Sequence, residues 1–388
     1  MTRSKAYGLS LCYAGMVTLS IGINLLPVFL TTLKVDLGGA TALTNEQLGR
    51  LGGILCAGLV AGILLTGPLA DRLGSKPFTV IGNALIALGL LLFGLAPDYG
   101  TACLAAFIIG LGAGILDMVL SPIVCALQPE HRTAAMNWLH SFYCTGAVLT
   151  ILISSLALRL GISWRTLSLW LMLAPALLAL AFLPMRVPAL VTEGTIRTRL
   201  RDLIRKRFFL IALGAIFMGG AMEIGLTQWL PAYAETTLGY SKWISGMSLL
   251  FFSLAMALGR IAAGMSGRHL NPYSLILYAC AFSAFLMIVG CFAPWPPVAL
   301  AACIAVGFTG SCLWPSTLGV AANHFPRGGA SMFGLLAAFG NLGCMFMPWA
   351  VGIAADWSSM RIGLTTAAFC PLIMILLTLK LRKIGPEP

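Results

Sequence analysis

Two carboxylates in this chain lie where a carboxylate is expensive. Asp117 and Glu223 each fall inside a long apolar run. A charge at a bilayer centre costs at least about 2.5–3.5 kcal/mol on insertion scales, so an acid retained there is a functional candidate by default. The chemistry that suits it is uptake and release of a proton. The plainer alternative is an acid paired structurally with a loop arginine or a backbone group. Around the two acids, the apolar runs carry groups able to bind a hydroxyl-rich small molecule: Asn24, Asn137, His140, Tyr143, Gln228, Trp229, Trp314 and Asn341, with Asn323, Tyr233 and Trp349 nearby in type. Amides and imidazole hydrogen-bond hydroxyls, and indole rings stack on sugar rings. Membrane Asn and Gln also simply join helices, and many membrane Trp only anchor at interfaces. His140 and Tyr143 lie one turn apart and share a helix face.

Other chemistry has no residues to carry it. The sequence contains no GxxxxGK[ST] nucleotide loop, no HExxH zinc helix and no GxSxG nucleophile elbow. Its eleven cysteines are scattered singly, with no CxxC pair. Neither a catalytic residue nor a metal site nor a cofactor is expected, and the chain does not read as an enzyme. No Lys or Arg reads as central to the membrane either, which argues against a dedicated anion carrier.

The elements that must hold these side chains are membrane helices. Of 388 residues, 59% are hydrophobic and only 9% charged, against roughly 25% charged in a soluble domain. Apolar runs long enough to cross a bilayer recur along the whole chain. They read as twelve spans: 7–33, 47–69, 78–96, 101–127, 134–160, 166–185, 208–233, 242–265, 273–293, 297–323, 329–355 and 362–380. The fold class is therefore all-α, with a six-helix bundle at 1–185, a polar linker at 186–207 and a second six-helix bundle at 208–388. The first run is too long for a signal-peptide core and no small-residue cleavage site follows it, so it reads as a span.

The net charge of +12 does not point to nucleic acid, because the cations cluster in alternate loops. With the N-terminus in the cytoplasm, the inside segments collect 18 of the 24 Lys/Arg, including seven in the linker. That is the positive-inside bias, and it puts both termini and the linker in the cytoplasm. The halves also echo one another. Asn24-Leu-Leu-Pro27-Val-Phe29 corresponds to Gln228-Trp-Leu-Pro231-Ala-Tyr233, and the stretch from Pro122 to Arg132 has a looser counterpart from Pro315 to Arg327. Parallel halves with a solute site between them are a common transporter plan.

The strongest short motif is Gly67-Pro-Leu-Ala-Asp71-Arg72-Leu-Gly74-Ser-Lys76, where span 2 turns into span 3. Its glycines permit close helix approach and a tight turn. Gly67, Asp71, Arg72, Gly74 and the loop cation Arg132 are the gating candidates. The motif resembles the GxxxDRxGRR loop of the major facilitator superfamily, with Ser75-Lys76 in place of two arginines. The second-half counterpart, Gly259-Arg260 to Gly267-Arg268, lacks the acid.

Spans 4 and 5 are similar to the fucose–proton symporter branch. The run Gly110-Leu-Gly112-Ala-Gly114-Ile-Leu-Asp117, then Ser121-Pro122, then Pro129-Glu130, resembles that branch's GLGAG, buried acid, NP and GPE. Asn137-Trp-Leu-His140-Ser-Phe-Tyr143-Cys-Thr-Gly146-Ala147 continues it. The resemblance implies that Asp117 is a proton-coupled carboxylate and that His140 and Tyr143 face the sugar. Ile23 stands where the branch has a second acid, and Glu223 is the candidate to replace it.

The expectation is a monomeric secondary transporter in a bacterial inner membrane. Its partners would be the lipid bilayer, a small polar solute such as a sugar, and protons or another coupling ion. The alternatives are a drug–proton exporter of the same superfamily, suited by 17 Met, and a non-transporting receptor or scaffold.

Overall fold

A computed structural model describes residues 3–39, 41–128, 132–185, 200–266, 271–325 and 329–384. All regular structure among them is helical. The helices in chain order are α1 (Arg3–Val28), α2 (Leu30–Asp36), α3 (Asn45–Leu73), α4 (Lys76–Gly94), α5 (Tyr99–Leu127), α6 (Arg132–Arg159), α7 (Trp164–Leu171), α8 (Leu173–Phe182), α9 (Leu200–Leu203), α10 (Arg207–Thr236), α11 (Lys242–Ser266), α12 (Pro272–Phe292), α13 (Pro296–Gly310), α14 (Leu313–His324), α15 (Gly329–Trp357) and α16 (Met360–Ile384). Twelve candidate membrane spans lie among the described residues, each overlapping one of the twelve read from the sequence. In a bilayer the backbone must satisfy its own polar groups, and a helix does so within one segment.

Three spans that read as continuous are each interrupted. Span 1 parts at Phe29, span 6 at Met172 and span 10 at Ser311–Cys312. Proline explains two of them: Pro175 and Pro315 follow the breaks at Met172 and Ser311–Cys312 by three or four residues, whereas Pro27 lies inside α1, before the break at Phe29. A proline removes one amide donor and crowds the carbonyl four residues earlier. Pro122, Pro231, Pro348 and Pro371 sit inside helices that run on through them. Pro27 and Pro231, matched in the sequence echo, both lie inside helices, α1 ending one residue after Pro27 and α10 running on past Pro231.

The chain divides into two compact units. Unit 1 comprises Met1–Leu43 and Ile54–Glu193, and unit 2 comprises Thr44–Gly53 and Gly194–Pro388. Helix α3 is shared, its first turns counting with unit 2 and the remainder with unit 1.

In unit 1 the buried polar groups join helices. The Asn83 side chain is fully buried, donating to the Thr79 carbonyl (2.9 Å) and accepting from the Thr18 hydroxyl of α1 (2.8 Å). At one end, Trp164 Nε1 donates to Asp36 (2.8 Å) and the Arg165 guanidinium donates to the Ala96 carbonyl (2.9 Å), tying α2 and the α4–α5 connection to α7. Large apolar side chains point outward instead, among them Leu64, Leu104, Phe282, Phe285 and Phe369. Such coverage would be an aggregation hazard in water and suits lipid.

Candidate functional site

Within unit 1 the carboxylate of Asp117 is positioned by glycine packing two turns upstream. On α5, Gly110 and Gly114 meet the Leu55 and Leu59 carbonyls of α3, and on α3, Gly58 and Gly62 meet the Phe107 and Leu111 carbonyls of α5. Both helices thus present a small-xxx-small stripe, which lets backbones touch. The residue between, Gly112, faces α4, where a Cβ would stand 2.6 Å from the Gly82 carbonyl oxygen. The run that reads as GLGAG is a helix with two bare faces, one for each neighbour. Asp117 follows three residues after the last of these contacts and is partly exposed.

Helix α6 brings the second group. It lies on α1, where Gly146 would carry a Cβ 2.9 Å from Val17 Cα and 3.0 Å from Ser20 Cβ, and where Tyr13 and Phe142 stack with ring centroids 4.7 Å apart and planes 3° apart. This seating places His140 within electrostatic reach of Asp117. His140 is exposed and Tyr143, one turn on, partly so. Two residues singled out for different roles, a proton carrier and a solute contact, therefore feel one another's charge. Asn24 is turned back on its own helix, its amide donating to the Ser20 carbonyl (3.0 Å) and hydroxyl (3.3 Å). A cavity of about 560 Å³ in this unit, lined by Tyr13, Val17, Phe142 and Leu178 among others, is apolar and includes neither Asp117 nor His140. Volume there does not mark the chemistry.

Unit 2 holds the other acid, and its partner is a cation the sequence reading assigned to the cytoplasmic side. Arg260 lies inside the apolar stretch of α11, and its Nη2 is 3.7 Å from Glu223 Oε1. Both side chains are partly exposed, at 34% and 23%. At 3.7 Å the contact is an ion pair rather than a hydrogen bond. Arg260 was not among the candidates read from the sequence. A long arginine near a helix end carries its charge several ångströms from its own Cα, and in this chain that reach is toward a carboxylate on α10.

The remaining predicted residues of unit 2 divide into inward and packed. Gln228 is buried, and its Nε2 has no hydrogen-bond partner among the described residues; Gly52 faces it, with room for a Cβ only at 2.9 Å. Trp229 is fully buried, and its Nε1 donates to the Pro348 carbonyl at 3.0 Å. In this structure it is a packing residue, not a surface for a ring to stack on. Tyr233 is likewise spent, donating to the Gly290 carbonyl at 2.7 Å. Trp314 lies against the bare backbone at Gly220 and Gly340 and is partly exposed. The Asn341 amide donates to Ala337 of its own helix at 3.0 Å.

Among the gating candidates, Asp71 and Arg72 fall in the last turn of α3 rather than in a loop. The turn itself is made at Gly74, whose φ of +79° favours glycine. Gly67 approaches only the Met118 methyl, at 3.2 Å for a Cβ. The side chains of Asp71, Arg72, Arg132 and Asn137 lie outside the described residues.

Comparison with known proteins follows the same lines. A family model described as Major Facilitator Superfamily matches residues 12–328. A probable nitrate/nitrite transporter of Mycobacterium tuberculosis is 26% identical over 76% of this chain and 76% of its own length. A gentisate transporter of Corynebacterium glutamicum is 25% identical (91% of this chain, 83% of that one), and a cis,cis-muconate transport protein of Acinetobacter baylyi 24% (93% and 90%). Among solved structures, a D-xylose–proton symporter superposes with a TM-score of 0.78 at 15% identity (99% of this chain, 98% of that one). The E. coli fucose–proton symporter gives 0.64 at 19% (98% and 99%).

Proposed function

Because this chain belongs to the major facilitator superfamily and so is a secondary transporter of a small solute, we propose that it imports a hydroxyl-rich solute, a sugar or similar polyol, with protons by alternating access. The observation that supports the reading is that Asp117, partly exposed on α5, lies within electrostatic reach of the exposed His140 on α6. A carboxylate that gains and loses a proton beside an imidazole can report its charge state to whatever that imidazole binds. The N-terminus, the linker and the C-terminus are assigned to the cytoplasm by the Lys/Arg bias. Uptake of labelled fucose or xylose into proteoliposomes, driven by an imposed pH difference, tests the reading. Equal uptake with and without the pH difference would refute the coupling.

The topology has its own test. Arg201 of α9 is exposed, and in intact cells Arg201→Cys should react with an impermeant maleimide only after permeabilisation. Ready labelling of sealed cells would invert the assignment.

One observation favours a second reading. The Glu223–Arg260 pair supplies a membrane cation able to grip a carboxylate or nitrate, and relatives are named for nitrate, gentisate and muconate. On this reading Arg260→Gln should raise the half-saturation concentration for gentisate roughly 10- to 100-fold, the worth of a hydrogen bond to a charged group. Glu223→Gln should lower it, since the guanidinium loses its resident competitor. Proteoliposome uptake of gentisate and of fucose by the same variants separates the two readings. An anion carrier loses gentisate uptake in Arg260→Gln, and a sugar carrier transports no gentisate at all.

A further inference from the structure

The first turn of α3 is satisfied by a residue 310 positions away. A helix begins with amide donors that have no partner in the helix. Here the first intrahelical bond runs from the Leu48 amide to the Thr44 carbonyl at 3.2 Å. That leaves the amides of Asn45, Glu46 and Gln47. Thr44 and Gln47 form a reciprocal capping box: the Gln47 amide donates to Thr44 Oγ1 (3.1 Å), and the Thr44 amide donates to Gln47 Oε1 (2.9 Å). The two donors still unaccounted for are taken by Asp356, at the end of α15. The Asn45 amide donates to its Oδ1 at 2.9 Å, and the Glu46 amide to its Oδ2 at 2.7 Å. A carboxylate at this position also faces the positive end of the helix dipole.

The contact beneath the cap is close along its length. Gly49 meets the Pro348 carbonyl, Gly352 meets the Asn45 carbonyl, and a Cβ at Gly53 would stand 2.7 Å from the Met345 carbonyl oxygen. Beside them Trp349 Nε1 donates to Glu46 Oε1 at 2.6 Å, and Glu46 Oε2 is held by Arg50 at 3.0 Å. All these residues belong to unit 2, whereas α3 from Ile54 onward belongs to unit 1.

We propose that Asp356 is a positioning residue for transport, a latch that completes the N-terminus of α3 only while its first turns lie on α15. Releasing those turns exposes two amides at once, so the latch weights the conformational equilibrium against release. On the topology proposed above, this end of α3 is extracellular, so the latch acts on the outer side.

The test uses the full chain. Hydrogen exchange of the Asn45 and Glu46 amides is measured in nanodiscs. Labelling of Asn45→Cys by an impermeant maleimide is measured in intact and permeabilised cells, beside a control carrying only the native cysteines. Asp356→Ala should raise both rates roughly fivefold, the shift that loss of an N-cap acceptor brings. Asp356→Asn, which keeps one acceptor, should fall between, and Trp349→Phe should raise labelling less. If Asp356→Ala is not recovered folded, Asp356→Asn decides on the same criteria. Wild-type rates in a folded variant overturn the latch, as does faster exchange with labelling unchanged on both sides of the membrane. A labelling increase seen only after permeabilisation keeps the latch and refutes the outward topology.

Discussion

Asp117→Asn should exchange solute for solute at close to the wild-type rate and fail to accumulate it. The substitution keeps the size of the side chain and its hydrogen-bonding capacity but freezes it in a neutral form. Counterflow of labelled against unlabelled solute needs only the loaded carrier to reorient, a step that requires no proton release. Net accumulation requires the carboxylate to empty. A pH difference of one unit is worth about 1.4 kcal/mol per proton, enough for roughly tenfold accumulation. The wild type should approach that ratio in proteoliposomes and Asp117→Asn should show none. Accumulation by the variant equal to wild type would remove Asp117 from the coupling step. Glu223→Gln is the paired measurement. A matching loss of accumulation would make the two acids a coupled set, and a change confined to affinity would make Glu223 part of solute recognition.

Gly110→Val should abolish recoverable folded protein. A Cβ at that position runs into the Leu55 carbonyl of α3, and the same helix pair is locked by Gly58, Gly62 and Gly114. Backbone cannot give way as the tip of a side chain can. The cost is that of severe overpacking, at least about 3 kcal/mol, which is a large share of the stability of most folded domains. Gly319→Ala and Gly334→Ala are the controls, because nothing lies within 4 Å of a Cβ at either site. Each should be neutral or gain up to about 1 kcal/mol of helix propensity. Thermal unfolding followed by size-exclusion chromatography reads all three. A Gly110→Val protein as stable as wild type would mean that α3 and α5 do not pack as described.

The spans were legible because a bilayer demands about twenty apolar residues at a time, and composition alone reports that. Asp117 and His140 were legible as candidates for the same reason, as polar groups where polarity is costly. Their proximity was not, since it depends on how α6 seats on α1 through Gly146 and the Tyr13–Phe142 stack. The partner of Arg260 was not legible, because a cation near the end of an apolar run is usually a loop anchor. Only the crossing of α10 and α11 discloses Glu223 as its neighbour. The burial of the Trp229 indole and its bond to the Pro348 carbonyl were not legible either, since they depend on how α10 meets α15. The Thr44-x-x-Gln47 box was in plain view as a helix start. The acceptor for the two amides it leaves over, Asp356, was not, being supplied across 310 positions of chain.

The paired glycine stripes of α3 and α5 have a consequence for heredity. Every substitution of a glycine by another residue adds a side chain, so no amino-acid replacement at these positions leads to anything smaller or equal. Where the neighbouring atom is a carbonyl oxygen, as at Gly58, Gly62, Gly110 and Gly114, the opposing helix cannot compensate by a substitution of its own, because every residue carries that oxygen. Such sites have no exit by one change or by a matched pair of changes. Lineages of this protein should therefore diverge freely on the lipid-facing surface and at the solute contacts, while these four glycines stay fixed.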